Sequence, residues 1–193
     1  MTPGLATSKV HVVTGFNLPP VGDLDVEDLP ALPKGYHYEL REGNLVILAP
    51  VTFWHKSISR RVMLMLFGAG LDAFQDLGVV GDRPRDCRFA DIGVVVDRPR
   101  LDSRPNLPGS AYLLVVEVVS PNSPNGEYTH KLDWYAQRGI PEYWVVDRAP
   151  DGADDDALVL IHRLGSFAGE SVYGRERTLL LSDLEAEYRK KGA

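Results

Sequence analysis

The sequence predicts an α/β fold: a central mixed β-sheet flanked by helices and preceded by a β-hairpin. Three stretches carry the prediction. Tyr112 to Val119 is apolar or aromatic except for Glu117, the composition of a strand buried on both faces of a sheet. A helical segment, Glu127 to Arg138, and a second apolar run, Glu142 to Val146, follow it, giving strand, helix and strand in succession. Upstream, Tyr36 to Pro50 places a turn signal, Glu42-Gly43-Asn44, between two strand-like segments.

In chain order, residues 1–35 are rich in Pro, Gly and Asp and contain one short apolar run, KVHVVTGF. They read as a partly ordered arm with a short helix, Asp25 to Leu29, stopped by Pro30 and Pro33. Residues 36–193 read as a single domain, since no repeat or linker divides them. After the hairpin, His55 to Phe67 sets Ile58, Val62, Met65 and Leu66 at helical spacing, and glycines end the helix. Two strands are expected around Val79-Val80 and over Phe89 to Val96. Asp91 opens the second, and alternation puts Asp91, Gly93 and Val95 on one face and Ile92, Val94 and Val96 on the other. The stretch before Gly109, rich in Pro, Arg and Asp, reads as an exposed loop. In the central strand Leu113, Val115, Glu117 and Val119 share a face. Ser120-Pro121 stops it, and the next helix puts Tyr128, Leu132 and Tyr135 on one side. Strands Ala157 to Leu164 and Ser171 to Arg177 precede a terminal helix.

At 193 residues, with 44% hydrophobic and 25% charged content, the chain has the length and composition of one globular domain. No apolar stretch is long enough to span a bilayer, and MTPGLATSKVHVVTG lacks the basic start and apolar core of a signal peptide, so a cytoplasmic protein is expected. The single Cys87 excludes an internal disulfide. The net charge of −6 argues against simple coating of nucleic acid, although Lys56, Arg60 and Arg61, and again Arg83, Arg85 and Arg88, gather basic charge locally. The acidic run at residues 149–156 lacks the alternating ligands of a calcium loop.

Glu117 is the residue that demands an explanation. An ionised carboxylate among apolar neighbours neutralises, pairs or binds a metal. Asp91 and Lys131 are the candidate companions. Each has a plainer reading alone: Asp91 as a strand-edge acid capping a turn, Lys131 as a solvated lysine paired with Glu127 one helical turn away. Glu39 alone reads as a surface-facing strand carboxylate, and His55 as a helix-start capping or packing residue. Taken together, Asp91 and Glu117 make a site for a hard cation such as Mg²⁺, with the Val118 carbonyl as a further oxygen ligand. A cation there acidifies water and stabilises charge on phosphate, and a nearby ammonium assists.

The hairpin YELREGNLVILAP, His55, ADIGVVV, LLVVEVVSPNS, and the helix bearing Lys131 before GIPEYWVVD resemble the Uma-two family of restriction endonucleases, within the PD-(D/E)XK nuclease superfamily. The resemblance spans roughly Tyr36 to Leu164. It implies a restriction endonuclease-like fold and a Mg²⁺- or Mn²⁺-dependent endonuclease acting on DNA as a homodimer. Asp91 then matches the first acid and Glu117 the second. Lys131 matches a lysine displaced from the strand to the following helix, because Val119 occupies the usual lysine position. Glu39 resembles the family's hairpin glutamate and would complete the metal shell, while His55 and Ser120 are the expected substrate contacts. Ala90 replaces the proline before the first acid, Glu127 stands where an aspartate is common, and PNSPNG departs from the usual Ser- and Arg-rich loop.

Other readings stand beside this one. A catalytically inactive version of the fold that binds nucleic acid or a protein partner keeps the sheet without needing the metal. A glycosidase using Glu39 and Glu117 has no use for Asp91 or Lys131. Ser120 lacks a Gly-x-Ser-x-Gly setting, and Cys87 has no assignable base.

Overall fold

A computed structural model describes residues 24–34, 36–48, 50–100, 106–120 and 126–191. The apolar run KVHVVTGF lies outside the described residues. In chain order the elements are β1 (His37–Arg41), β2 (Asn44–Leu48), α1 (Phe53–Gly68), β3 (Ala73–Val80), β4 (Cys87–Val95), β5 (Asn106–Pro108), β6 (Tyr112–Val118), α2 (His130–Gln137), β7 (Glu142–Arg148), β8 (Ala157–Phe167), β9 (Glu170–Leu180) and α3 (Leu181–Lys191).

The described strands form one nine-stranded mixed sheet, ordered β2-β1-β4-β6-β7-β8-β9, with β3 joined to β4 and β5 to β3. Only β6–β7 and β3–β5 pair in parallel. The β6–β7 pair needs a crossover, and α2 supplies it. Alternation along β6 sorts the layers. Leu114, Val116 and Val118 face α1 and α3, packing with Trp54, Ile58, Val62, Leu181 and Leu184. Val115 and Val119 face α2, packing with Trp134, Tyr135 and Tyr143. Glu117 therefore enters the α2 layer, on the face that alternation predicts. Leu113 alone in β6 is exposed.

The hairpin has a two-residue turn, Glu42 and Gly43, with φ of 52° and 85°. Two positive φ values match the twist of paired strands. The Gly43 N–H also donates to the Arg85 carbonyl at 2.7 Å, tying the turn to the segment before β4.

Several local expectations are revised. The helix expected over Asp25 to Leu29 is a single 3-10 turn, Leu29–Ala31, because Pro30 and Pro33 leave no room to propagate it. Leu24 and Val26 pack with Leu40 and Cys87 in a small third cluster. The loop before Gly109 contains the short strand β5. The helix expected from Glu127 begins as a 3-10 turn, Gly126–Tyr128, and turns α-helical only at His130. Its buried residues are Trp134, Tyr135 and Ala136.

Strand β4 departs most from regular alternation. Ala90 packs in the α2 layer while Ile92, two residues on, packs in the α1 layer, so the pleat slips at Asp91. The neighbouring strand β3 slips with it: Asp76 adopts φ 54°, and the register stays constant on either side. Aspartate tolerates this left-handed conformation better than most residues.

Candidate functional site

One edge of β4 pairs with two different strands. At its start Cys87 pairs with Leu40 of β1, and from Ile92 to Val95 it pairs with β6. Between them the ladder is open, and backbone donors there need other partners. Carboxylates provide them. Glu39 Oε1 accepts from the Phe89 N–H at 3.3 Å, and Asp91 Oδ2 accepts from the Val118 N–H at 2.7 Å. The site thus occupies the break between two ladders, and its acids help to close that break.

Around this gap the hydrogen bonds form a chain. Glu117 Oε2 accepts from Lys131 Nζ at 2.8 Å, and Glu117 Oε1 accepts from the Tyr135 hydroxyl at 2.7 Å. Lys131 and Tyr135 are one turn apart on α2, so one helix face grips both oxygens. Lys131 Nζ also lies 3.8 Å from Glu39 Oε1, and Arg41 holds Glu39 Oε2 through Nε at 3.0 Å and Nη2 at 2.7 Å. Glu39 and Glu117 are fully buried, whereas the Asp91 side chain is 22% exposed. On the α1 side, the Thr52 hydroxyl caps the helix at the His55 N–H, and His55 Nε2 lies 3.2 Å from Asp91 Oδ2. Ser59 Oγ lies 3.4 Å from the other ring nitrogen.

The electrostatics follow from burial against neighbours. Burial pushes Glu117 up to about 7, even against the opposing pull of Lys131, and Asp91 adds to the rise. Burial pulls Lys131 down, but Glu117 and Glu39 outweigh it and hold the ammonium well above its ordinary value. Lys131 is therefore a fixed cation. His55 is also raised, because its bond to Asp91 and the Val118 backbone outweigh desolvation. Burial and Glu117 keep the Tyr135 phenol protonated, as its donor role requires.

Of the residues singled out from sequence, Glu39, His55, Asp91, Glu117 and Lys131 meet in this one network, joined by the Val118 backbone. Ser120 follows β6, half-buried, and has no bond to the network among the described residues. Lys131 pairs with Glu117 rather than with Glu127. His55 is 4% exposed. Sequence reasoning missed Tyr135 as the second partner of Glu117, although its place one turn after Lys131 was a usable signal. It also missed Arg41, whose signal was its place two residues after Glu39 on the same strand face.

The donors suit a hard cation. Among the described residues no three His, Cys, Asp or Glu side chains form a ready-made cage. An ion that keeps several waters and takes one or two carboxylates does not need one. All described hydrogen bonds of Asp91 fall on Oδ2.

A family model described as "Putative restriction endonuclease", Uma2, matches residues 25–188. The chain belongs to the Uma2 family. Among solved structures, it is similar to one described as "a putative nuclease belonging to DUF820 from Anabaena variabilis", with a TM-score of 0.58 and 17% identity over 82% of this chain and 84% of that one. That likeness supports the Uma2 fold assignment at the level of architecture. None of the curated proteins compared with the chain matches it. No helix among the described residues is long and apolar enough to cross a membrane.

Proposed function

We propose that this Uma2 protein is a metal-dependent endonuclease that hydrolyses DNA phosphodiester bonds in the cytoplasm, working as a homodimer so that two sites address two strands. The observation that carries the reading is the meeting of Asp91, Glu117 and Lys131, distant in sequence, at one break in the sheet. Family membership supports the reaction class. Asp91, Glu117 and the Val118 carbonyl would hold Mg²⁺ or Mn²⁺. The bound ion supplies an acidified water and neutralises charge building on the phosphate.

The chain's own groups do the rest. Lys131, kept protonated, offers hydrogen bonds to the attacking water and to the phosphate, so it acts as a cation rather than a base. Glu39 adds a second carboxylate 3.8 Å from the Lys131 ammonium. Tyr135 keeps the Glu117 carboxylate from rotating away. His55 and the Val118 N–H fix one Asp91 oxygen, which leaves the other to face the site.

The test is cleavage of supercoiled plasmid, single-stranded DNA and RNA in Mg²⁺, Mn²⁺ or a chelator, with the native protein and Asp91→Ala, Glu117→Ala and Lys131→Ala. Cleavage of DNA that stops with chelator and in all three variants is expected. Activity surviving the three changes sinks the mechanism. A second reading, a catalytically inactive domain that binds nucleic acid or a protein partner, is favoured by one observation: both Glu117 oxygens already have donors. Calorimetric titration with Mg²⁺ and Mn²⁺ separates the two readings, since the inactive domain takes up neither ion.

A further inference from the structure

The outer end of the site's hydrogen-bond chain is a guanidinium with a second guanidinium beside it. Strand β1 places Glu39 and Arg41 two residues apart, hence on one face, and the Leu40–Cys87 pairing sets Arg88 alongside them when the register is continued. Leu40 and Cys87 point the other way, into the small cluster with Leu24 and Val26. Arg41 is 38% exposed while Glu39, which it grips through two nitrogens, is 0% exposed. The guanidinium thus lies between a buried acid and water.

Arg88 is held by weaker contacts. It stacks over Trp134, with its guanidinium carbon 4.7 Å from the ring centroid, and reaches the His130 carbonyl at 3.5 Å. Its Nε is buried without a hydrogen-bond partner among the described residues. Burial disfavours the Arg88 charge most and nearby Arg41 adds to that, while Asp86 and Glu39 oppose it. Two like charges crowded together are relieved by an anion, and the guanidinium fork fits phosphate as well as carboxylate.

We infer that Arg41 and Arg88 form a phosphate contact beside the reaction centre, and that Arg41 exchanges the Glu39 carboxylate for a nucleic-acid phosphate when substrate arrives. The inference rests on the nuclease reading and extends it to a positioning step. After the exchange Glu39 keeps Lys131 and the Phe89 N–H, so its buried charge is not left alone.

The experiment measures binding of a short fluorescein-labelled DNA duplex across a salt series, with Ca²⁺ replacing Mg²⁺. The proteins are native, Arg41→Met, Arg41→Lys, Arg88→Met, and Arg177→Met as a remote control of equal charge change. Arg41→Lys keeps a positive charge on Glu39, and melting curves identify any variant that has lost its fold. Arg41→Met and Arg88→Met are each expected to weaken binding about tenfold. Each should also reduce the slope of log K against log salt by about one, with Arg41→Lys intermediate and Arg177→Met unchanged. Binding by the Arg41 and Arg88 variants equal to that of Arg177→Met overturns the inference, as does a native protein that binds no duplex. Native protein that binds with the expected slopes but cleaves in neither Mg²⁺ nor Mn²⁺ overturns the reaction and leaves this contact standing. Cleavage with unaltered variant binding does the reverse.

Discussion

Helix α2 grips two buried acids in the same way and to different ends. Lys131 and Tyr135 hold Glu117; one residue-triplet further round, Trp134 and Arg138 hold Asp86, at 2.7 Å and 3.1 Å. Both pairs use the i, i+4 spacing that stacks side chains on one helix face. The second clamp holds one buried acid with one guanidinium, which also lies 4.0 Å over the Trp134 ring and 3.9 Å from the exposed Asp82. In the first clamp the single lysine faces Glu117, Glu39 and Asp91; Arg41 also pairs with Glu39 and His55 with Asp91, and Asp91 opens to solvent. Identical helical spacing builds a staple around Asp86 and, around Glu117, one part of the three-acid cluster proposed to take a cation.

The largest effect that should distinguish the clamps is on cleavage. Glu117→Gln and Asp91→Asn should each lower the rate about 10³-fold. Asp86→Asn should stay within about tenfold, and a plasmid-nicking time course checks this; equal losses would erase the contrast.

Next is stability without metal. Lys131→Met leaves buried Glu117 with the Tyr135 hydroxyl alone, while Glu39 keeps Arg41, and should cost about 3 kcal/mol in urea unfolding. Added Mg²⁺ should restore part of that loss, but none of the loss in Arg138→Met, which leaves one buried acid, Asp86, bonded to the Trp134 N–H and, among the described residues, without a second buried carboxylate beside it.

The pH dependence comes third. With Glu117 at about 7 against an ordinary 4.5, the folded protein keeps a proton that the unfolded chain releases. Its contribution is complete below pH 4.5 and disappears as pH rises through about 7. Metal-free protein should therefore lose stability over that interval, and Glu117→Gln should flatten the slope. A slope that persists in the variant would assign it elsewhere.

The smallest effect belongs to Tyr135→Phe. It preserves packing on Trp134 and Tyr143, at ring separations of 5.2 and 5.3 Å, and removes only the bond to Glu117. A loss of about 1–2 kcal/mol in the same unfolding assay is expected, with cleavage reduced less than in Glu117→Gln.

Much of this was legible in the sequence, because the strongest signals were local. The hairpin turn, the apolar stripe of α1 and the strand, helix and strand succession all announce themselves within short windows. Glu117 stood out for the same reason, as one charge in an apolar run. Lys131 was harder: its neighbour at i, i+4 is Glu127, and only the crossover that lays α2 over β6 brings Glu117 nearer. The orientation of Asp91 was not legible. It depends on a slip shared by two strands and on a left-handed residue, Asp76, in the neighbouring one. Nor did β5 show itself, since three residues beside prolines carry no period.

The lone thiol turns the start of β4 into a reporter. Cys87 is sealed by Leu24, Val26 and Leu40, and burial, aided by Glu39 and Asp86, pushes it up to about 12. An alkylating reagent needs an accessible thiolate, so it can react only while the packing over Cys87 opens, at β1 and the segment before it or at β3. The rate of labelling then reports how often the sheet opens around the strands that carry Glu39 and Asp91, in the unmodified protein and without any introduced probe.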